Sequence, residues 1–338
     1  MRRHQWLLLT VLAVCSACDG GEWRNDALAS GNYADYFVSC PGVVLTAENG
    51  KNFLVIPKGF ARAVTSLPVK VEPLTRYRLD FEARVDGPHV VEEVPMYQSL
   101  FFETHWWKAK KGRQLASWRI LFLDSRGNQI NPGFDPFFNT IMTQRLRPYS
   151  EEFRTPPGCV NVVFAFDNAN PEDALSVGGV TLTTIENPPT VNINPDFSLG
   201  ADNYSGLNDL KRGRLIPDPS RPGKFFLDFT GLGGGGGRGD FIPVNPGERY
   251  RIEYKFQRSP SIADGSARLI VFYYRTFEQR GDSASGQVSH VFSAGAKMSE
   301  GQYAFVVPEQ MRFMRPYFEA GRFEYIRIIP EAAGETTP

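Results

Sequence analysis

Apolar and polar residues alternate in two segments of the chain, residues 71–81 and 244–254. In the first segment, Tyr77, Leu79 and Phe81 alternate with polar neighbours, and the same pattern returns 173 residues later (250 − 77) from Tyr250. Alternation with period 2 is typical of a strand that buries one face. Five of the eleven positions are identical, including the proline that precedes each strand. The pattern therefore predicts two related units.

The similarity continues beyond this strand. Residues 118–124 match 268–274 in an alignment that pairs Trp118 with Arg268, and both runs are almost continuously apolar, as in strands buried on both faces. Further matches pair Phe153 and the strand at 160–166 with Phe305 and the strand at 311–318, and closing strands are expected at 180–185 and 325–329.

These matches predict an all-β chain of two tandem antiparallel β-sandwich domains of the jelly-roll kind. The first domain is placed at residues 30–187, a proline-stiffened linker at 188–190, the second domain at 191–331 and a C-terminal tail at 332–338. No long amphipathic helix is evident.

The N-terminus is typical of an export signal. Two arginines precede an apolar run that is too short to span a bilayer, so residues 1–17 are interpreted as a signal peptide. The sequence Cys15-Ser16-Ala17-Cys18 resembles the lipobox of bacterial lipoproteins, although Cys15 stands where leucine is preferred. This resemblance implies a lipid on Cys18, a tether at 18–29 and a membrane-anchored protein in the periplasm or at the cell surface. The alternative is a plain signal peptide that releases a soluble protein.

The charge of the chain argues against one class of binding partner, and its cysteines predict a disulfide. The formal net charge is zero, so no basic field attracts nucleic acid. Two cysteines remain beyond the export segment, Cys40 and Cys159. In an oxidising compartment such a pair is expected to form a disulfide, and two separate buried thiols are the alternative.

The order of turns and strands resembles the galactose-binding-like sandwich of carbohydrate-binding modules of the cellulose- and xylan-binding type. The second domain contains the V-x-P-G-x-x-Y pattern of such modules at residues 244–250. The resemblance implies binding to a polysaccharide without a cofactor. Such modules often close with an acidic pair near a structural calcium ion, whereas here residues 177–180 lack acids and residues 323–326 keep only Glu324. The missing acids therefore disfavour the structural calcium ion that the resemblance implies.

Glycan sites need exposed flat rings that stack on sugar C–H faces. A dense aromatic segment in the first domain supplies Tyr97, His105, Trp106 and Trp107. In a strand, adjacent tryptophans point to opposite faces, so one of the two is a candidate stacking ring. A loop covering a sheet edge is the alternative. Two polar candidates for bonding hydroxyls follow at Asp124 and Arg126, and a solvated loop explains them equally well.

Two further segments give structural expectations. The glycine run 233–237 predicts a flexible loop, and it lacks the Gly-Lys-Ser/Thr of a phosphate loop. Tyr273, Tyr274 and Phe277 are expected to lie half in the core and half at its rim.

Signals for catalysis are weak. The three histidines beyond the export segment have no metal-ligand spacing, so no metal site is predicted, and no Gly-x-Ser-x-Gly elbow occurs. The sequence thus favours a non-catalytic carbohydrate-binding protein of the cell envelope. The alternative is a structural or protein-interaction lipoprotein without a glycan ligand, and a hydrolase is a distant third hypothesis.

Overall fold

The computed structural model describes residues 28–59, 63–86, 116–130, 138–141, 146–168, 170, 173–200, 203, 205–208, 213–229, 236–277 and 287–331. Within these ranges the chain is all-β, with one short 3-10 helix at Tyr33–Asp35. None of its described helices is long and apolar enough to cross a membrane.

The first domain is a sandwich of two sheets. One sheet has the strand order β1-β2-β10-β5-β8, and the other has the order β3-β9-β6-β7 with β4 paired to β9. Its strands are β1 Val44–Glu48, β2 Lys51–Ile56, β3 Val64–Thr65, β4 Val69–Lys70, β5 Arg76–Asp86, β6 Ala116–Leu123, β7 Phe138–Ile141, β8 Arg147–Arg154, β9 Asn161–Asn168 and β10 Ala174–Thr184.

The second domain repeats this plan. One sheet has the order β12-β13-β21-β16-β19, and the other has the order β11-β14-β20-β17-β18 with β15 paired to β20. Its strands are β11 Leu207–Asn208, β12 Gly213–Pro217, β13 Phe225–Phe229, β14 Gly236–Gly239, β15 Ile242–Pro243, β16 Arg249–Arg258, β17 Ala267–Tyr274, β18 Gln287–Ala294, β19 Ser299–Val306, β20 Phe313–Glu319 and β21 Gly321–Pro330.

The predicted duplication is confirmed strand by strand. All described strand pairs are antiparallel, and the position of β11 is occupied in the first domain by the single antiparallel bridge of Phe37 with Ser66. The two alternating strands occupy the same place, because Tyr77 pairs with Phe153 in one domain and Tyr250 pairs with Phe305 in the other. Both ring pairs stack, with centroids 5.9 and 6.0 Å apart.

One part of the sequence alignment is wrong by a residue. Phe122 packs on Phe153, and the residue that packs on Phe305 is Tyr273. Trp118 therefore corresponds to Leu269, which faces the core, and not to Arg268. Side chains alternate between faces along a strand, so a slip of one residue exchanges the buried and the outer face.

The predicted disulfide is not formed in this structure. Cys159 lies in the core of the first domain, Cys40 packs against the same core, and no bond joins them. The Cys159 thiol donates to the carbonyl of Asn161, and burial raises its pKa to about 11. The structure therefore matches the alternative of two separate thiols.

Two expected boundaries need adjustment. Leu28 is fully buried in the first core, so part of the predicted tether belongs to the domain. The predicted loop at 233–237 is corrected at its end, since Gly236 and Gly237 lie in β14, while residues 233–235 are outside the described part of the chain. A Cβ atom at Gly236 would lie 2.9 Å from the carbonyl oxygen of Phe318, and glycine allows β14 to approach β20 this closely.

Two arginines on the outer face of β5 and β8 bind the linker and the second domain. Arg76 is buried, donates to Glu152 Oε2 at 2.8 Å and donates to the carbonyl oxygen of Thr190 at 2.9 Å. Arg154 donates to the carbonyl oxygen of Val191 and pairs with Asp240 of the second domain at 3.3 Å. We call these two residues the arginine clamp.

The segment that enters the second domain also covers the edge of β8. Asn203 Nδ2 donates to the Ser150 carbonyl, and the Glu152 amide donates to Ser205 Oγ at 2.8 Å. An uncovered edge strand exposes donors and acceptors that can pair with another chain. Side chains of the second domain therefore satisfy the edge of the first.

This cover buries a carboxyl group. Glu151 is 3% exposed. Burial raises its pKa to about 8, against the opposing effect of a hydrogen bond with Ser205. The side chain is therefore protonated at neutral pH in the folded protein.

The clamp predicts unequal effects for two arginines of one strand. Arg76→Ala should lower the free energy of unfolding by about 3–5 kcal/mol, because it leaves Glu152 and the linker carbonyls buried without their donor. Arg78→Ala, which removes a partner of the more exposed Asp80, should lower it by less than about 1 kcal/mol. Urea denaturation measures both, and equal losses would contradict the clamp.

Glu151 predicts the pH dependence of stability. Its pKa is raised from 4.5 to about 8 on folding, so its stabilising effect is complete below the unfolded pKa and is lost as pH rises to the folded pKa. Glu151→Gln should remove a decline of up to about 1.4 kcal/mol per pH unit across this window. The exposed control Glu186→Gln should keep the wild-type slope. Persistence of that slope in Glu151→Gln would count against the assignment.

Candidate functional site

The two faces of strand β17 have different roles. Leu269, Val271 and Tyr273 point into the core of the second domain. Phe272 and Tyr274 belong to a separate aromatic cluster on the outer face of the same sheet. The expectation for Tyr273 and Tyr274 is confirmed, since one lies in the core and the other packs outside it.

The outer face of this sheet holds a continuous group of rings. We call it the outer aromatic face. Phe272 contacts Tyr317 edge-on at 6.0 Å, and Phe241 contacts Tyr274 at 5.1 Å. Edge-to-face pairs are favourable beyond their buried area, which fixes the orientation of the rings. The face consists of Phe241, Phe272, Tyr274, Phe277, Phe313 and Tyr317. Phe272, Phe277 and Tyr317 remain half-buried, so part of each ring meets solvent.

Two arginines hold rings of this face. The Arg315 guanidinium lies 4.6 Å from the Phe241 centroid, and its Nε donates to the carbonyl oxygen of Gly239 at 2.8 Å. Arg238 lies 5.7 Å from the Tyr317 centroid. Both contacts have cation–π geometry. Arg238, Gly239 and Asp240 are thus all used in internal packing, because Asp240 pairs with Arg154 of the clamp.

A cleft of about 670 Å³ adjoins this face where the two domains meet. Leu74 and Pro157 of the first domain form one wall, and the second domain supplies the rest. The residues from the second domain are Pro243, Val244, Asn245, Glu248, Tyr250, Arg275, Thr276, Phe277, Arg312 and Phe313. Because Phe277 and Phe313 line it, the cleft continues the outer aromatic face.

Among the residues that line the cleft, Glu248 is the only carboxylate, and it has internal partners. It accepts from the Tyr250 hydroxyl and from Asn245 Nδ2, each at 2.6 Å. Burial alone raises the pKa of Glu248, but these hydrogen bonds outweigh it and the net shift is downwards. The pKa of Tyr250 is raised, first by burial and then by its bond to the carboxylate. At neutral pH the Glu248 carboxylate therefore stabilises the local structure.

A third group of rings lies at the lateral edge of the second domain. His290 lies 4.8 Å from Tyr303, and Phe292 lies 4.7 Å from Tyr254. Burial lowers the pKa of His290. Tyr303 on β19 is 45% exposed. Val291 on β18 and Val306 on β19 are 51% and 52% exposed. We call Tyr254, His290, Phe292 and Tyr303 the lateral cluster.

The ring residues predicted as sugar ligands, Tyr97, His105, Trp106 and Trp107, lie outside the described part of the chain. The lipidation candidate Cys18 also lies outside it. Asp124 is described and shapes its own turn, where its Oδ1 accepts from the amides of Arg126 and Asn128, each at 2.8 Å. These bonds lower its pKa, and Arg126 is exposed. The turn supports the structural alternative for both residues.

Glu324, the one acid kept at the position of the acidic pair in carbohydrate-binding modules, forms salt bridges. Glu324 Oε1 pairs with Arg221 at 2.9 Å and with Lys255 at 3.1 Å. In the described part of the chain, no group of three His, Cys, Asp or Glu residues could hold a metal ion.

The sequence did not identify Phe272, Tyr317 or Arg238 as candidates. Residues 269–274 are apolar at every position, so alternation gives no signal for which side is covered. The structure shows two apolar faces, because Leu269 and Val271 belong to the core while Phe272 and Tyr274 belong to the outer cluster.

Comparison with known proteins gives similarity of fold. No family model matches the chain, and no curated protein matches it. The N-terminal CBM22-1-CBM22-2 tandem domain from Paenibacillus barcinonensis Xyn10C is 10% identical, with 94% of this chain and 99% of that chain covered at a TM-score of 0.33.

Two single domains are also similar. TmCBM61, solved in complex with beta-1,4-galactotriose, is 11% identical and covers 43% of this chain and all of its own, at a TM-score of 0.31. The N-terminal cellulose-binding domain from Cellulomonas fimi beta-1,4-glucanase C is 14% identical. It covers 45% of this chain and 90% of its own, at a TM-score of 0.29.

Proposed function

We propose that the protein binds a carbohydrate on the outer aromatic face of its second domain, without chemical turnover. The observation behind this proposal is the half-buried pair Phe272 and Tyr317, held edge to face on a central part of the sheet beside Arg238. A pyranose stacks its C–H face on such rings, and a nearby guanidinium donates to its hydroxyls.

The rigidity of this face suits binding. Arg315 and Phe241 fix the neighbouring rings before a ligand arrives, so little side-chain entropy is lost on association. The adjoining cleft, walled by Leu74 and Phe313, extends the surface for a chain of several sugars.

A non-catalytic role is consistent with the polar groups nearby. A glycosidase places two carboxyl groups on opposite sides of the scissile bond. Among the described residues that line the cleft, Glu248 is the only carboxylate, and its oxygens accept from Tyr250 and Asn245.

The proposed setting is the bacterial cell envelope. It rests on the predicted export signal and on the predicted lipid attachment at Cys18, which would anchor the protein to a membrane, with polysaccharide and not nucleic acid as its partner. Trp106 and Trp107, with Tyr97 and His105, are a second proposed platform in the first domain.

A protein-interaction role is the second candidate function. The observation that favours it is the 45% exposure of Tyr303, an aromatic side chain on the edge strand β19 of the second domain. In this case the protein would be a structural envelope lipoprotein, and its partner would cover the lateral cluster.

Substitutions in the two ring groups separate these functions. Phe272→Ala and Tyr317→Ala should each weaken retention in affinity electrophoresis by about tenfold, the loss typical of a ring at the centre of a binding surface. Tyr303→Ala should retain wild-type affinity. The gels should contain neutral and acidic polysaccharides, and circular dichroism should verify the fold of each variant. Absence of retention on every polysaccharide, or an equal loss in Tyr303→Ala, would contradict glycan binding on the outer aromatic face.

A further inference from the structure

Strand β8 of the first domain shows which backbone groups face away from its neighbour β5. The Glu152 amide donates to Ser205 Oγ at 2.8 Å. The Ser150 carbonyl, two residues earlier, accepts from Asn203 Nδ2. The spacing of two arises because successive residues of an antiparallel strand direct their backbone groups to opposite sides. The second domain therefore supplies the hydrogen bonds that a further strand beside β8 would supply.

Strand β19 of the second domain presents the same backbone groups without such a cover. In the alignment of the two domains, Ala304 and Gln302 are the counterparts of the two β8 residues. The Val307 amide donates to the Glu248 carbonyl just before β16, so the even-numbered residues of β19 direct their backbone groups outwards. Ala304 and Gln302 are exposed, and within the described residues no hydrogen bond reaches their outward groups.

Strand β19 also lacks the features that usually protect an edge strand. Natural edges carry lysine, proline or a bulge, which prevent pairing with another chain. The opposite edge of the same sheet, β12, contains Arg214 and Pro217, and the pairing of the edge strand β18 is interrupted by a register shift. Strand β19 pairs with β16 over all eight of its residues without a shift, and Glu300 is its only charged residue.

A second copy of this strand fits the outward groups when a twofold axis passes beside Tyr303. In this antiparallel register, Ala304 of one copy faces Gln302 of the other, and their amides and carbonyls exchange hydrogen bonds. Tyr303 then faces Tyr303 of the second copy. Aromatic side chains at directly opposed positions stabilise a strand pair. His290 packs on the Tyr303 ring within its own domain, with centroids 4.8 Å apart, and orients that ring.

The charges of the edge are complementary in the same register. Glu300 of one copy faces Val306 of the other, so the two glutamates do not oppose each other. Arg249 is the β16 partner of Val306, and its side chain is 46% exposed, with Nε 3.6 Å from Glu331. Arg249 therefore lies in the same cross-strand row as Glu300 of the second copy. Opposite charges in one row favour this pairing over a register that opposes like charges.

We propose that two copies of this chain associate through β19 in this twofold register. The association joins two five-stranded sheets into one continuous sheet. The outer aromatic face belongs to the other sheet of the domain, so the pair carries two such faces, and the inference does not depend on glycan binding. One pair of strands forms a small interface, and we expect a dissociation constant of about 1–100 μM.

Sedimentation velocity of the purified protein tests this proposal. The mean sedimentation coefficient should rise with concentration across about 1–100 μM, as expected for monomer and dimer in equilibrium. Tyr303→Lys and Tyr303→Glu should each weaken self-association at least about tenfold, because like charges then face each other across the axis. Val44→Lys is the matched control. It changes a similarly exposed residue on the edge strand β1 of the first domain and should have no effect.

A mixture of the Tyr303→Lys and Tyr303→Glu proteins tests the register itself. Because this position faces its own copy, opposite charges then meet, and the mixture should regain the association that each variant alone has lost. Circular dichroism verifies the fold of each variant. A wild-type protein that stays monomeric throughout the concentration range would overturn the proposal and leave β19 to a strand of another protein. Unchanged association in both variants, or a mixture that associates no better than its components, would also overturn it.

Discussion

Two arginines, of which Arg76 is buried and Arg154 is partly buried, connect the parts of this molecule. Arg76 binds the backbone of the linker at Thr190, and Arg154 joins the Leu74 carbonyl to the Val191 carbonyl and Asp240 of the second domain. Burial raises the pKa of Asp240 and lowers that of Arg154. Burial therefore disfavours the charged form of each residue, and the charge of its partner stabilises it. Removing either partner would leave an uncompensated charge at the junction. The cleft exists only where this junction brings the two domains together.

The duplicated domains differ where they meet. The edge strand β8 is covered by Asn203 and Ser205, whereas its counterpart β19 is exposed over most of its length. Glu151 in the covered edge corresponds to Tyr303 in the exposed one, given the pairing of Phe153 and Phe305 with equivalent tyrosines. One edge has therefore become an internal contact, and the other has kept aromatic side chains at the surface.

The sequence was sufficient for the fold because the duplication repeats long alternating strands. The first strands keep a spacing of 173 residues, but Phe153 and Phe305 are 152 residues apart (305 − 153), since loop lengths differ. The one-residue error at Trp118 has another cause, since an apolar run without alternation gives no signal for its register. The outer aromatic face was not predictable in this way, because a run such as 269–274 is apolar on both sides. Nor does sequence spacing reveal that Arg154 and Asp240 meet across the domain junction.

The central claim is that sugar contacts the outer aromatic face. Fluorine NMR of protein labelled with 3-fluorotyrosine tests it directly, with resonances assigned by Tyr317→Phe and Tyr303→Phe variants. On addition of an oligosaccharide prepared from the polysaccharide that retains the protein best, the Tyr317 resonance should shift and the Tyr303 resonance should not. A shift of Tyr303 with Tyr317 unchanged, at saturating ligand, would contradict the account.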